Sequence, residues 1–116
     1  MSILFVLNDA PYGSERTYNG LRLAGAVARQ EEMDVRVFLL GDSVVTAKTG
    51  QQVPSGYYNS ETMMRAVLKR GGVVSVCGTC MDARGMKEVE LTEGSRRGSL
   101  DELAQWTTDA TKVVVF

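Results

Sequence analysis

A chain of 116 residues, 44% hydrophobic and 23% charged, can bury one core without disulfide staples and reads as a single domain, residues 1–116. Thirteen basic against fourteen acidic residues give a formal net charge of -1, which offers no general attraction to nucleic acid or to an anionic membrane surface. No apolar run approaches the ~20 residues that span a bilayer. The apolar start Met1–Leu7 lacks a basic n-region and a cleavage site, so a cytoplasmic location is expected.

In chain order, Ile3 to Leu7 is a continuous apolar run, the pattern of a strand covered on both faces. Asn8 to Gly13 is a loop. Ser14 is placed as the N-cap of a helix that runs to about Gln30, with Tyr18, Leu21, Ala24 and Ala28 at helical spacing and Leu23 and Val27 widening the stripe. Val35 to Leu40 is a second strand that ends at Gly41-Asp42. Ser43 to Lys48 reads as one short helical turn. Gly50, Pro54, Ser55 and Gly56 then mark a long loop, which is either a mobile surface segment or a cover for a site.

Asn59 or Ser60 caps the next helix, whose apolar face is Met63, Met64, Val67 and Leu68, and Gly71-Gly72 stops it. Val73 to Cys77 is a third strand. A helix follows it at once, with Thr79 as the expected cap and Asp82 three residues on. Lys87 to Gly94 has no clear pattern. Ser99 to Glu102 is a capping box opening a helix with Leu100, Leu103, Ala104 and Thr107 on one face, and Val113 to Phe116 is a closing strand. Strands alternating with helices imply a parallel sheet with helices on both faces. Ligands of such sheets gather beyond the carboxyl ends of the strands. That edge carries Cys77, the Asn8–Tyr12 loop and Gly41 to Ser43.

Cys77 and Cys80 are the only cysteines, and the chain has no histidine. A nucleophile here must therefore be activated by geometry or by Arg and Lys. A thiol between a strand end and a helix start meets free backbone N–H groups, which favour thiolate over thiol. The bland alternative is that Cys77 is a small buried hydrophobe. A thioredoxin-like dithiol fits less well, because the pair follows the third strand and neither Pro11 nor Pro54 immediately precedes a strand. Structural zinc needs about four N or S ligands, so two sulfurs would suffice only if two subunits shared the ion. Neither a P-loop nor a dinucleotide fingerprint is present, and no cofactor is expected. A sulfur nucleophile remains, able to hold a sulfane sulfur as a persulfide. Arg84, four residues after Cys80, shares its helix face and brings a favourable charge, whereas Asp82 opposes a thiolate.

The chain resembles the DsrE/DsrF-like family, which includes YchN-like proteins and the DsrE-type subunits of sulfur-relay complexes. The resemblance rests on the first strand with Ala10-Pro11-Tyr12-Gly13, on Val76-Cys77-Gly78-Thr79-Cys80-Met81-Asp82-Ala83-Arg84-Gly85, on Gly98-Ser99-Leu100 with Leu103, Ala104 and Trp106, and on Lys112 to Phe116. It implies a three-layer α/β/α fold with a mostly parallel sheet of about five strands. It also implies a homo-oligomer, a trimer or a hexamer, working with sulfur donor and acceptor proteins. By its position before the Arg-Gly, Cys77 matches the persulfide-bearing cysteine of the relay members, and Cys80 is an addition to their pattern. The expected function is thus sulfur transfer or carriage through Cys77, with Cys80 as a resolving or auxiliary thiol and Arg84 beside them. Asn8, Pro11, Tyr12, Gly41, Asp42, Gly78 and Thr79 are expected to line the site. The alternative is a non-catalytic ligand-binding or assembly module, or a dithiol redox protein.

Overall fold

The computed structural model describes residues 1–116. Five strands, β1 (Ser2–Leu7), β2 (Asp34–Leu39), β3 (Val73–Cys77), β4 (Ser95–Gly98) and β5 (Lys112–Val115), form one sheet in the order β4-β3-β2-β1-β5. Every neighbouring pair is parallel. Four helices connect them: α1 (Arg16–Ala28), α2 (Ser60–Lys69), α3 (Gly78–Ala83) and α4 (Leu100–Asp109). Short 3-10 segments lie at Gly41–Ala47 and Glu88–Glu90.

Handedness assigns the layers. The three steps from β1 to β4 all move in one direction, so right-handed crossovers place α1, α2 and α3 on one face. The return from β4 to β5 runs the other way and places α4 on the opposite face. The packing agrees. Gly20 of α1 lies directly against Leu7. On the far face, Trp106 of α4 meets Phe38 edge-on at 6.0 Å, and Ser75 donates a hydrogen bond to Glu102. The loops leaving β3 and β4 therefore diverge, and the crevice between these two strand ends is the place where a parallel sheet of this kind holds ligands. Cys77 and Gly98 are paired across it.

The core is the apolar centre of the sheet. Leu4, Phe5 and Leu7 of β1, with Val37, Phe38 and Leu39 of β2, are fully buried, as the unbroken apolar runs require. Several local expectations change. Ser14 does not cap α1; its hydroxyl donates to Asp9 at 2.7 Å, and the helix begins at Arg16 without a side-chain cap. Leu23 is exposed, and the buried face of α1 is Thr17, Gly20, Leu21 and Ala24. Asn59 caps α2 by accepting from Thr62 N–H at 3.1 Å. Ser99 caps α4 by accepting from Glu102 N–H at 3.2 Å, but the Glu102 carboxylate turns to Ser75 and Arg96 instead of closing the box. The face of α4 is also rotated from the expected one: Leu103 and Trp106 are buried, whereas Leu100, Ala104 and Thr107 are exposed.

β4 has no counterpart in the sequence reading. Its residues, Ser95-Arg96-Arg97-Gly98, carry no apolar alternation. They become a strand because the edge of β3 offers a row of backbone partners and both arginines find carboxylates. Gly98 is fitted closely here, since a Cβ would overlap the Ser75 hydroxyl and the Glu102 carboxylate.

Candidate functional site

β3 brings Cys77 to the carboxyl edge of the sheet, where it is 6% exposed, and the chain turns directly into α3. Cys77 itself stands at the cap position. Thr79, expected as the cap, lies inside the first turn because the helix starts two residues earlier than a Thr79 cap would place it, at Gly78. The absence of a side chain at Gly78 leaves room for the Arg97 guanidinium: a Cβ there would sit 2.6 Å from Cζ of Arg97. Cys80 follows in the same turn and is half-buried.

The two thiols are driven apart. Burial pushes the Cys77 thiol up, but hydrogen bonds from the Cys80 thiol, the Thr79 hydroxyl and the backbone N–H groups of Cys80 and Thr79 outweigh it and hold Cys77 below the ordinary thiol value. The Cys77 sulfur lies 3.4 Å from the Thr79 hydroxyl. Cys80 is raised, by burial and by the proton it offers to Cys77, against the opposing pull of the Gly41 N–H, 3.3 Å from its sulfur, and of Arg84. The pair titrates as a unit in which Cys77 carries the charge first and Cys80 keeps the proton.

Gly41, Asp42 and Arg84 come together around Cys80. Gly41 turns the chain with φ +54° so that its N–H meets the sulfur. Arg84, at the end of α3, donates to the Cys80 carbonyl at 3.0 Å and to one oxygen of Asp42 at 2.8 and 3.1 Å. Asp82 does not stand as a free opposing charge. Arg97 of β4 grips both of its oxygens at 2.8 and 2.9 Å and holds its carboxyl below the usual range. Sequence reasoning did not find Arg97, because its strand has no hydrophobic pattern and its nearness to Gly78 exists only once β4 pairs with β3.

The remaining expected residues lie further out. Asn8 ties the ends of β1 and β5, with its backbone N–H and side-chain amide both donating to the Phe116 carbonyl at 3.1 Å. Its own carbonyl passes 3.5 Å from where a Gly41 Cβ would be. Pro11 and Tyr12 belong to a separate network. Tyr58 donates to the Pro11 carbonyl at 3.0 Å, and Tyr12 donates to Gln51 at 2.6 Å while accepting from Ser60 N–H at 3.0 Å. The Tyr58 ring lies between those of Tyr12 and Tyr18, at 5.5 and 4.3 Å. This network pins the long loop to α1 and α2, and its hydrogen bonds do not reach either cysteine. A groove of about 560 Å³ along α1 and α2, bordered by Arg22, Arg29 and Met63, is lined by neither cysteine.

The chain is a three-layer parallel α/β protein with a thiol pair at its strand-end crevice. The chain belongs to the DsrE/DsrF-like family, which matches residues 1–116. It is 44% identical over 115 residues to the YchN protein of Escherichia coli K12, covering 98% of this chain and 97% of that one. An uncharacterised protein of Methanocaldococcus jannaschii is 37% identical over 116 residues, the whole length of both. The crystal structure of E. coli YchN superposes with a TM-score of 0.94 at 43% identity, covering 99% of this chain and 98% of that one. A protein of unknown function from Methanobacterium thermoautotrophicum shares the fold at a TM-score of 0.80 and 14% identity, covering 99% of this chain and 98% of that one.

Proposed function

We propose that the protein carries sulfur as a persulfide on Cys77, within the cytoplasm and as a homo-oligomer that meets donor and acceptor proteins. The observation that carries this reading is the placement of the thiols: Cys77 ends β3 at the strand-end crevice with its sulfur 3.4 Å from the Thr79 hydroxyl, and Cys80 follows in the first turn of α3, an arrangement that favours thiolate at Cys77. The thiolate attacks the sulfane sulfur of a donor persulfide. A new S–S bond forms at Cys77, the donor's S–S bond breaks, and the donor leaves as a thiolate. The N–H groups and hydroxyl that favour the Cys77 thiolate suit the persulfide anion as well.

Cys80 acts as the resolving thiol. Its sulfur attacks Cys77 Sγ and expels the outer sulfur as hydrosulfide, leaving a Cys77–Cys80 disulfide. The outer sulfur gains the two electrons that the cysteine pair loses. Burial of Cys77 favours a second reading, a non-catalytic ligand-binding or assembly module. Native alkylation separates the two, since a carrier thiol reacts within minutes at neutral pH and a packed one reacts only on unfolding.

Intact-protein mass spectrometry after incubation with an organic persulfide provides the test. Wild type should gain sulfur, Cys77→Ser should gain none, and Cys80→Ala should load and hold the sulfur longer. Equal loading of Cys77→Ser and wild type would defeat the assignment.

A further inference from the structure

α3 is six residues long, too short to persist on its own helix bonds. Its orientation therefore comes from its surroundings. Met81 anchors it in the core, fully buried. Two arginine–aspartate clamps fix it from outside. In the first, Asp82 is gripped by Arg97 of β4. In the second, Arg84 at its end reaches back to Asp42 beside β2.

The clamps lie against different thiols. The Arg97 guanidinium rests on Gly78, with Cζ and Nε each 2.6 Å from the site of a Cβ, and so covers the turn whose N–H groups serve Cys77. The Arg84 clamp holds Asp42 next to Gly41, whose N–H meets Cys80, and Arg84 also binds the Cys80 carbonyl. Other charges face the crevice: Glu88 acts on Arg97, and Glu102 closes the α4 side with Arg96.

We propose that Arg97 is a positioning residue for Cys77, and that the Arg97–Asp82 and Arg84–Asp42 clamps set the two thiols separately, the first Cys77 and the second Cys80. This deepens the sulfur-carrier reading and rests on it for one point, that Cys77 is the working thiol. Without Arg97, the first turn of α3 loses its cover, the N–H groups no longer converge on the sulfur, and Asp82 confronts the thiolate unneutralised.

The pH dependence of iodoacetamide alkylation reads each thiol alone, Cys77 in a Cys80→Ser background and Cys80 in a Cys77→Ser background. Arg97→Gln should raise the Cys77 midpoint by about one pH unit and leave the Cys80 midpoint in place. Arg84→Gln should raise the Cys80 midpoint and spare Cys77. Asp82→Asn serves as the second variant and keeps the inference testable where Arg97→Gln does not fold. It removes a negative charge, so charge alone would lower the Cys77 midpoint, whereas release of the clamp raises it. An unchanged Cys77 midpoint in Arg97→Gln, a fall or no shift in Asp82→Asn, or equal movement of both thiols in each variant overturns the assignment. Unchanged midpoints with intact sulfur loading would sink the clamps alone. Shifted midpoints with no loading would sink the carrier reading and leave the clamps standing.

Discussion

Single residues carry much of the order in this chain, and Glu61 is an instance outside the thiol site. It is 7% exposed, yet it is a carboxylate, accepting from Gln51 N–H at 3.0 Å and from Arg65 at 2.7 Å. Burial pushes its carboxyl up, but those hydrogen bonds and the Arg65 charge prevail and hold it below the ordinary value. A folded value below the unfolded one contributes stability that is complete above about pH 4.3, the ordinary glutamate value, and is lost as pH falls through the depressed value. Glu61→Gln should cost about 2 kcal/mol at neutral pH, from lost hydrogen bonds to a charged group. It should also flatten the acid limb. Urea midpoints measured from neutral to acid pH check both, and an unchanged acid limb would remove Glu61 from the account. The sequence offered no sign of this residue, because its partner Gln51 sits in a loop with no periodicity to read.

At the scale of elements, what was legible follows from what pattern can encode. β1, β2 and β3 announce themselves because strands covered on both faces are largely apolar, and β5 does so by its run of valines, although that edge strand is largely exposed. β4 does not, because it is an edge strand held by backbone pairing and by ion pairs whose partners, Asp82 and Glu102, lie on other elements. The phase of α4 was misread for a related reason. Leu100 looks like core by composition, but at the start of the helix it is exposed, and Trp106 takes the buried place. At the thiol site, spacing located Cys77, Cys80 and Arg84, whereas Arg97 required the folded sheet. Ser99 was legible as a cap and tests as one. Ser99→Ala should cost about 1 kcal/mol by leaving the Glu102 N–H without its acceptor. A fall in the urea midpoint of that size is expected, and no change would mean that solvent replaces the cap.

The whole molecule has an uneven coat. Three forward crossovers cover one face of the sheet with α1, α2 and α3, and the single return leaves α4 alone on the other. Val113 and Val115 of β5 are 41% and 64% exposed, and Leu100 is 71% exposed. Parallel strands are rarely left bare in this way, which supports the homo-oligomer put forward above. Val115→Asp should lower the assembly mass measured by light scattering while circular dichroism stays the same; an unchanged mass would show that β5 lies outside any contact between copies. The same single helix holds the only tryptophan, 7% exposed, against Phe38, with the guanidinium groups of Arg36 and Arg96 each 5.6 Å from its ring. Nature has thereby built an optical gauge into the thinner layer: the colour of the indole's emission follows the seating of α4 on the sheet, and it can be read without attaching a dye or touching a sulfur.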